Sequence, residues 1–325
     1  MFKKKIFQIL KNLLILSCIL LLTYEIYKNF NFIEEKFFKN YKAVLLILLL
    51  QFITLNLLCI RNYSIFKICA EYKGKFSDWS QIFYESLVLN FLISHSGSIY
   101  RAIELKKRGL EYKKYISVFY ILFTSFILIN ILLVFIELCF VLEESFQFKI
   151  NLLLIFLFFF MSVVYAPKIL NFIIKNIYIV KKNYGNKVNK FFQLYNLIYS
   201  FIADKAFLKK TILYLLIYGV VIHAFELYIF YLSVSIILTN IGFKTILVLF
   251  GISFILDRIP LTTNVPGLNE ILFASISIPL GLYLHQGIIL KLLLRIIVVT
   301  STLINYLIFY SINRVDKVKI FKNSS

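Results

Sequence analysis

Long apolar runs, separated by short connections that are either basic or acidic, set the pattern of this chain. Val44–Ile60, Leu152–Tyr165 and Ile288–Tyr310 reach or approach the length that spans the hydrocarbon core of a bilayer. Taken along the chain, the apolar runs predict full membrane-spanning helices at about 6–24, 43–60, 115–141, 150–166, 211–238 and 286–310. Two further apolar stretches are too short to cross comfortably, and their flanks decide what they do.

Lys and Arg collect on the cytoplasmic side of membrane proteins, so the basic connections orient the spans. Lys3–Lys5 place the N-terminus in the cytoplasm, and the first span exits to a loop holding Glu34, Glu35 and Lys36. The second returns to Arg61, Lys67, Lys73 and Lys75. The apolar segment 81–94 is followed by Arg101-Ala-Ile-Glu-Leu-Lys-Lys-Arg108, Lys113 and Lys114, so both its flanks belong to the cytoplasm. A single crossing cannot satisfy that, and 81–105 is predicted to dip in and return as a re-entrant hairpin. Spans three and four flank the acidic turn Glu143-Glu144. The basic connection 168–210 reads equally as an amphipathic helix on the anionic leaflet or as a solvated linker. Span five exits to the turn Thr239–Lys244, and span six ends at Arg314, Lys317, Lys319 and Lys322 in the cytoplasm. Residues 245–282, two apolar legs around Asp257–Glu270, are therefore predicted to form a second hairpin from the outer face.

The fold expected is an all-α polytopic membrane protein, one integral membrane domain over residues 1–325. It has about six full transmembrane helices plus two re-entrant hairpins, in halves of inverted topology and with both termini cytoplasmic. Broken helices in inverted repeats are a transporter architecture, with the substrate site near the midplane.

Composition narrows the class further. Apolar residues make up 61% of the chain, with 35 Phe and 22 Tyr in 325 residues and a mean hydropathy of +0.85, more apolar surface than a soluble domain can hide. The formal charge of +20 suggests nucleic acid at first. The basic residues lie in short loops between apolar runs, however, which a membrane face explains better. Cys18, Cys59, Cys69 and Cys139 show neither metal spacing nor a disulfide framework. No cofactor or metal site is read. Lys3–Lys5 followed by Ile6–Thr23, without a small-residue cleavage site, reads as an uncleaved signal anchor of a multi-pass protein of the cell membrane.

The polar residues expected at membrane depth carry the candidate chemistry. His223 and Glu226 share one face of span five near the bilayer centre, and Arg295 sits at similar depth in span six. Buried charges in a membrane are costly and mark a pathway or an ion pair. The two breaks, Ser94-His-Ser96-Gly97-Ser98 and Thr262-Thr-Asn-Val-Pro266-Gly267, supply cap residues and a glycine before a new helical run. A helix beginning inside the membrane aims its positive end inward and suits an anion such as a phosphate. Arg101 follows the first break, while Arg258 precedes the second and Glu270 follows it. Arginine's planar fork matches phosphate oxygens. The plainer readings are a structural Arg–Glu pair, and an Arg101 that snorkels to the interface.

At these hairpins the chain resembles the lysylphosphatidylglycerol synthase transmembrane (flippase-like) family. Ser96-Gly-Ser-Ile-Tyr-Arg101-Ala-Ile-Glu-Leu-Lys-Lys-Arg-Gly109 is similar to that family's first signature. Pro260-Leu-Thr-Thr-Asn-Val-Pro266-Gly267-Leu-Asn-Glu270, with Gly281 and Arg295 after it, is similar to the second. One Gly follows Pro266 where the family has a pair, and the likeness is to stand-alone members, without the aminoacyl-transferase domain. The resemblance implies movement of an anionic or phosphate-bearing lipid across the cytoplasmic membrane, beside envelope lipid or glycan synthesis. The implied partners are a membrane phospholipid or a polyprenyl-phosphate-linked substrate, with envelope biosynthesis enzymes nearby. An enzyme is not expected. The rival readings are a membrane-embedded lipid-linked glycosyltransferase, with Glu34-Glu35 as catalytic acids, and a non-transporting membrane scaffold.

Overall fold

The computed structural model describes residues 16–92, 96–141, 205–238, 241–257 and 267–323. Its elements are α1 (16–28), α2 (Phe30–Lys39), α3 (Tyr41–Cys69), α4 (Phe76–Leu92), α5 (Ser96–Lys107), α6 (Tyr112–Val141), α7 (Lys205–Ile237), α8 (Phe243–Leu256), α9 (Leu268–Ser277), a short 3-10 turn (Ile278–Leu280) and α10 (Leu284–Asn323). The fold is all-helical, with no strand among the described residues. Among the described residues, four stretches are long and apolar enough to cross a membrane: Tyr41–Cys69, Tyr112–Glu137, Leu213–Ile237 and Leu284–Arg314. At 1.5 Å per residue even about 20 residues cover a hydrocarbon core of about 30 Å. Leu268–Leu280 and Phe243–Leu256 are shorter apolar segments. The start of the first expected span, the whole span at 150–166 and the basic connection before residue 205 lie outside the described residues.

Two expectations are corrected. The loop drawn around Glu34, Glu35 and Lys36 is helical, as α2, whose side chains are all at least partly exposed. The second span was ended at Ile60, but α3 continues nine residues further, to Cys69. Arg61 does not stop the helix because the protein itself receives its charge. The side chain is buried, its guanidinium donates to Asn62 Oδ1 at 3.2–3.3 Å, and it lies 5.1 Å from the centre of the Phe126 ring.

The chain forms two compact units. The first comprises Met1–Asn56, Tyr84–Gly97 and Ala224–Ser325, and the second Leu57–Phe83 and Ser98–His223. In the first, α9 lies so close to α10 that a Cβ on Gly287 would stand 2.6 Å from the Ala274 Cα, the close approach small residues permit between membrane helices. Phe230 meets Phe250 and Phe273 edge-on beside that contact. A polar chain also crosses this unit: Tyr84 Oη donates to Asn56 Oδ1 (3.0 Å), and Asn56 Nδ2 donates to Asn305 Oδ1 (2.7 Å). Away from water such groups must be paired within the protein. In the second unit the only tryptophan of the sequence, Trp79, is fully buried among Phe66, Tyr63 and Tyr72 and donates its indole N–H to the Cys59 carbonyl. Gly219 of α7 faces Ile129 of α6, where a Cβ would come within 2.9 Å of the isoleucine side chain.

Candidate functional site

Two ion pairs of the first unit sit where α9 begins against α10. Gly267, at φ 86°, occupies the N-cap position in the left-handed region that glycine enters without a steric penalty. Three residues on, Glu270 lies in the first turn of α9, where the positive end of the helix stabilises a carboxylate. Glu270 is 2% exposed, and its Oε1 accepts a hydrogen bond from Arg295 Nη1 at 2.6 Å. Its other oxygen, Oε2, is buried and has no hydrogen-bond partner among the described residues. The Arg295 side chain is 47% exposed, in contrast to the buried acid it pairs with.

One helical turn earlier on α10, Lys291 is spent internally. Its ammonium donates to Ser253 Oγ and to Asp257 Oδ1, both at 2.8 Å, and lies 5.4 Å from the centre of the Phe273 ring. Asp257 also accepts from Asn269 Nδ2 at 2.6 Å. Two ion pairs, Asp257–Lys291 and Glu270–Arg295, thus fasten the end of α8 and the start of α9 to consecutive turns of α10. Chemically the arrangement is an oriented guanidinium. A dry carboxylate accepts one of its hydrogen bonds, and a half-exposed guanidinium can meet a planar, multi-oxygen anion.

Glu270 and Arg295 were both expected, and the structure brings them together. Lys291, Asp257, Ser253 and Asn269 were missed as site members. The available signal was Lys291 four residues before Arg295 in an otherwise apolar run, since residues at that spacing share a helix face. Arg258 and Pro266 lie outside the described residues, as do Ser94 and His95 of the first break.

The first break differs from expectation in one respect. Its N-terminal N–H groups were expected to be free for an anion, yet the N–H of Gly97 donates to Asn90 Oδ1 at 2.9 Å and Ser96 Oγ donates to the Leu89 carbonyl at 2.8 Å. A Cβ on Gly97 would strike the Ser86 carbonyl, so α5 begins in close contact with α4.

Arg101 and His223 belong to the second unit. Arg101 is 7% exposed, with its guanidinium 4.8 Å from the centre of the Phe83 ring, so it is enclosed by protein there and does not extend outward. His223 is buried against α6, with Nδ1 2.7 Å from Asn130 Oδ1 and Nε2 2.8 Å from Glu137 Oε1. Sequence reading placed His223 at a site but did not name Asn130 or Glu137. Glu226 is half-buried one turn further along α7. Glu34 and Glu35 lie on the solvent-accessible face of α2, where Lys39 donates to Glu35 at 2.5 Å.

Comparison with protein-family models, curated proteins and solved structures gives no match to this chain.

Proposed function

We propose that this protein moves an anionic, phosphate-bearing lipid across the cytoplasmic membrane, and that Arg295 meets the head group. The observation that carries the reading is a half-exposed arginine in a membrane-length apolar helix, hydrogen-bonded to a buried glutamate. Glu270 orients the guanidinium and also competes for it, which keeps an empty site from trapping its anion, because turnover requires binding weak enough to release. In this reading α4–α5 and α8–α9 act as the two re-entrant hairpins among about six full spans in inverted halves. The likeness of the segments around Arg101 and Glu270 to the flippase-like family supports the same reading. An anionic phospholipid, its aminoacylated form and a polyprenyl phosphate share the chemistry that Arg295 would recognise.

Reconstitution with a fluorescent phospholipid and a membrane-impermeant quencher tests this. Wild type exposes more lipid to the quencher than empty liposomes do. Glu270→Gln and Arg295→Lys keep a hydrogen-bonded pair but lose the charge balance or the planar fork, and both lower the rate while purifying as folded protein. Wild type that behaves like empty liposomes with every phosphate lipid offered would overturn the reading. Full activity in both folded variants would remove Arg295 from the pathway.

A further inference from the structure

We infer that α2 lies in the membrane–water boundary and that the corner between α2 and α3 receives an acyl chain of a membrane phospholipid. α2 carries no residue of the Arg295 site, and its place at the boundary does not depend on lipid movement.

The depth of α2 follows from what it is tied to. A single residue, Asn40, separates its end from α3, a helix of membrane length that begins at Tyr41. Its middle is held at the start of a second such helix: the Phe32 ring meets His285, the second residue of α10, edge-on with 5.5 Å between ring centres. The Lys36 ammonium lies 5.7 Å from the centre of the same Phe32 ring. A helix fastened to the starts of two membrane-length helices runs at the level where spans end, which in a bilayer is the head-group layer.

The side chains of α2 suit that level. None of them is buried by the protein, although Phe30, Phe32, Ile33, Phe37 and Phe38 are all apolar. Tyr27, Phe30, Phe38 and Tyr41 are exposed. A bare cluster of rings is a liability in water, whereas aromatic side chains collect at membrane interfaces. The exposed Lys28, Lys39 and Lys42 beside them can lay their stems along apolar surface and lift their charge toward head groups.

Two grooves share the Phe38 ring, which belongs to a residue 74% exposed. One, of about 290 Å³, is lined by Phe37, Phe38, Tyr41, Val44 and Leu45. The other, of about 390 Å³, is lined by Asn31, Glu34, Glu35, Phe38 and Lys39. One side of Phe38 is wholly apolar and the other carries charge, so the boundary between lipid and water runs along that ring. The apolar groove continues into Leu45, Leu49 and Ile53, exposed at four-residue spacing on one face of α3. Such a strip on a membrane-length helix faces acyl chains, and a chain lying along it reaches the groove at Leu45. That continuity selects a lipid chain as the occupant. Lys42, in the first turn of α3, supplies a cation at the level of the lipid phosphate.

Trp79 is the only tryptophan of the sequence and is fully enclosed, so an added tryptophan reads its own surroundings over a constant background. In full-length protein in phospholipid vesicles, Phe38→Trp should lose fluorescence to lipid brominated near the top of its acyl chains more than to lipid brominated near the chain ends. Interfacial helices bury their apolar face about 5–10 Å deep, which sets that order. Aqueous iodide should quench Glu35→Trp more than Phe38→Trp. Phe30→Trp, on the same face as Phe38, gives the same reading if Phe38→Trp does not fold. The photo-crosslinker p-benzoylphenylalanine in place of Tyr41 should add the mass of one phospholipid to the chain. Iodide quenching at position 38 equal to that at 35, without quenching by brominated lipid, would put α2 in water and overturn the inference. A crosslink from position 41 to a second copy of the chain, or none to lipid, would overturn the groove's occupant. None of these readouts involves Arg295, so they stand or fall apart from lipid movement.

Discussion

Removing the two partners of the Glu270–Arg295 pair has unequal consequences, because one partner is dry and the other is not. Arg295→Met leaves the Glu270 carboxylate buried without a cation, and breaking a buried pair from the other side costs about 3–5 kcal/mol. The helix dipole at the first turn of α9 favours the carboxylate equally in wild type and variant, so it leaves that difference unchanged. Glu270→Gln is milder. The amide oxygen still accepts from Arg295, and the half-exposed guanidinium keeps its contact with water or head groups, so the cost is about 1 kcal/mol, that of weakening one hydrogen bond. The double variant Glu270→Gln with Arg295→Met should then be more stable than Arg295→Met alone, since no charge is left buried. Cys18 supplies a local assay: it is 6% exposed and its Cβ lies 3.1 Å from where a Cβ on Gly267 would stand, so its thiol reacts when the start of α9 opens. Its labelling rate, in protein whose other cysteines are replaced, should rise most in Arg295→Met and least in Glu270→Gln. Equal effects of the two single variants, or a double variant worse than Arg295→Met, would show that Glu270 is not a buried charge in need of neutralisation.

Other outcomes follow from the same geometry. Gly97→Ala drives a methyl into the Ser86 carbonyl and lowers thermal stability by about 1–3 kcal/mol, as overpacking does; an unchanged melting curve would mean α4 and α5 do not cross there. A double-mutant cycle on Asn56→Leu and Asn305→Leu should give a coupling of about 0.6–2 kcal/mol, in the range of hydrogen bonds between membrane helices, and zero coupling would remove the pair. Trp79 should emit at short wavelength and resist an aqueous quencher until the second unit unfolds, since the indole is fully enclosed. Single cysteines at Gly109 and Glu144 should label from opposite membrane faces, and those at Lys75 and Lys107 from the same face; opposite labelling of the latter two would turn the first hairpin into a span.

The residue pattern alone determined that this is an all-helical chain with membrane-length spans, because a run of some 20 apolar residues has no stable place in water and spans a bilayer when helical. It also marked Glu270 and Arg295, since charge inside an apolar run is costly enough to stand out without knowing its partner. Helix ends were less legible. Arg61 looked like a stop because hydropathy counts a charge as exposed, whereas Asn62 and Phe126 enclose it inside the protein. The loop reading of Glu34, Glu35 and Lys36 failed for the complementary reason: an amphipathic helix such as α2 has a polar average that resembles a loop.

Pairing belonged to the tertiary structure. Asp257 and Lys291 are 34 residues apart, and Glu137 and His223 are 86 apart, so no local rule connects them. The Gly97 turn reads in sequence as a helix start with free N–H groups, and only the arrival of Asn90 from the preceding helix shows that one of them is taken. Propensity and hydropathy act over a few residues. Which buried donor meets which buried acceptor is decided by how the helices cross, and that depends on small residues such as Gly219 and Gly287 permitting close approach at particular places.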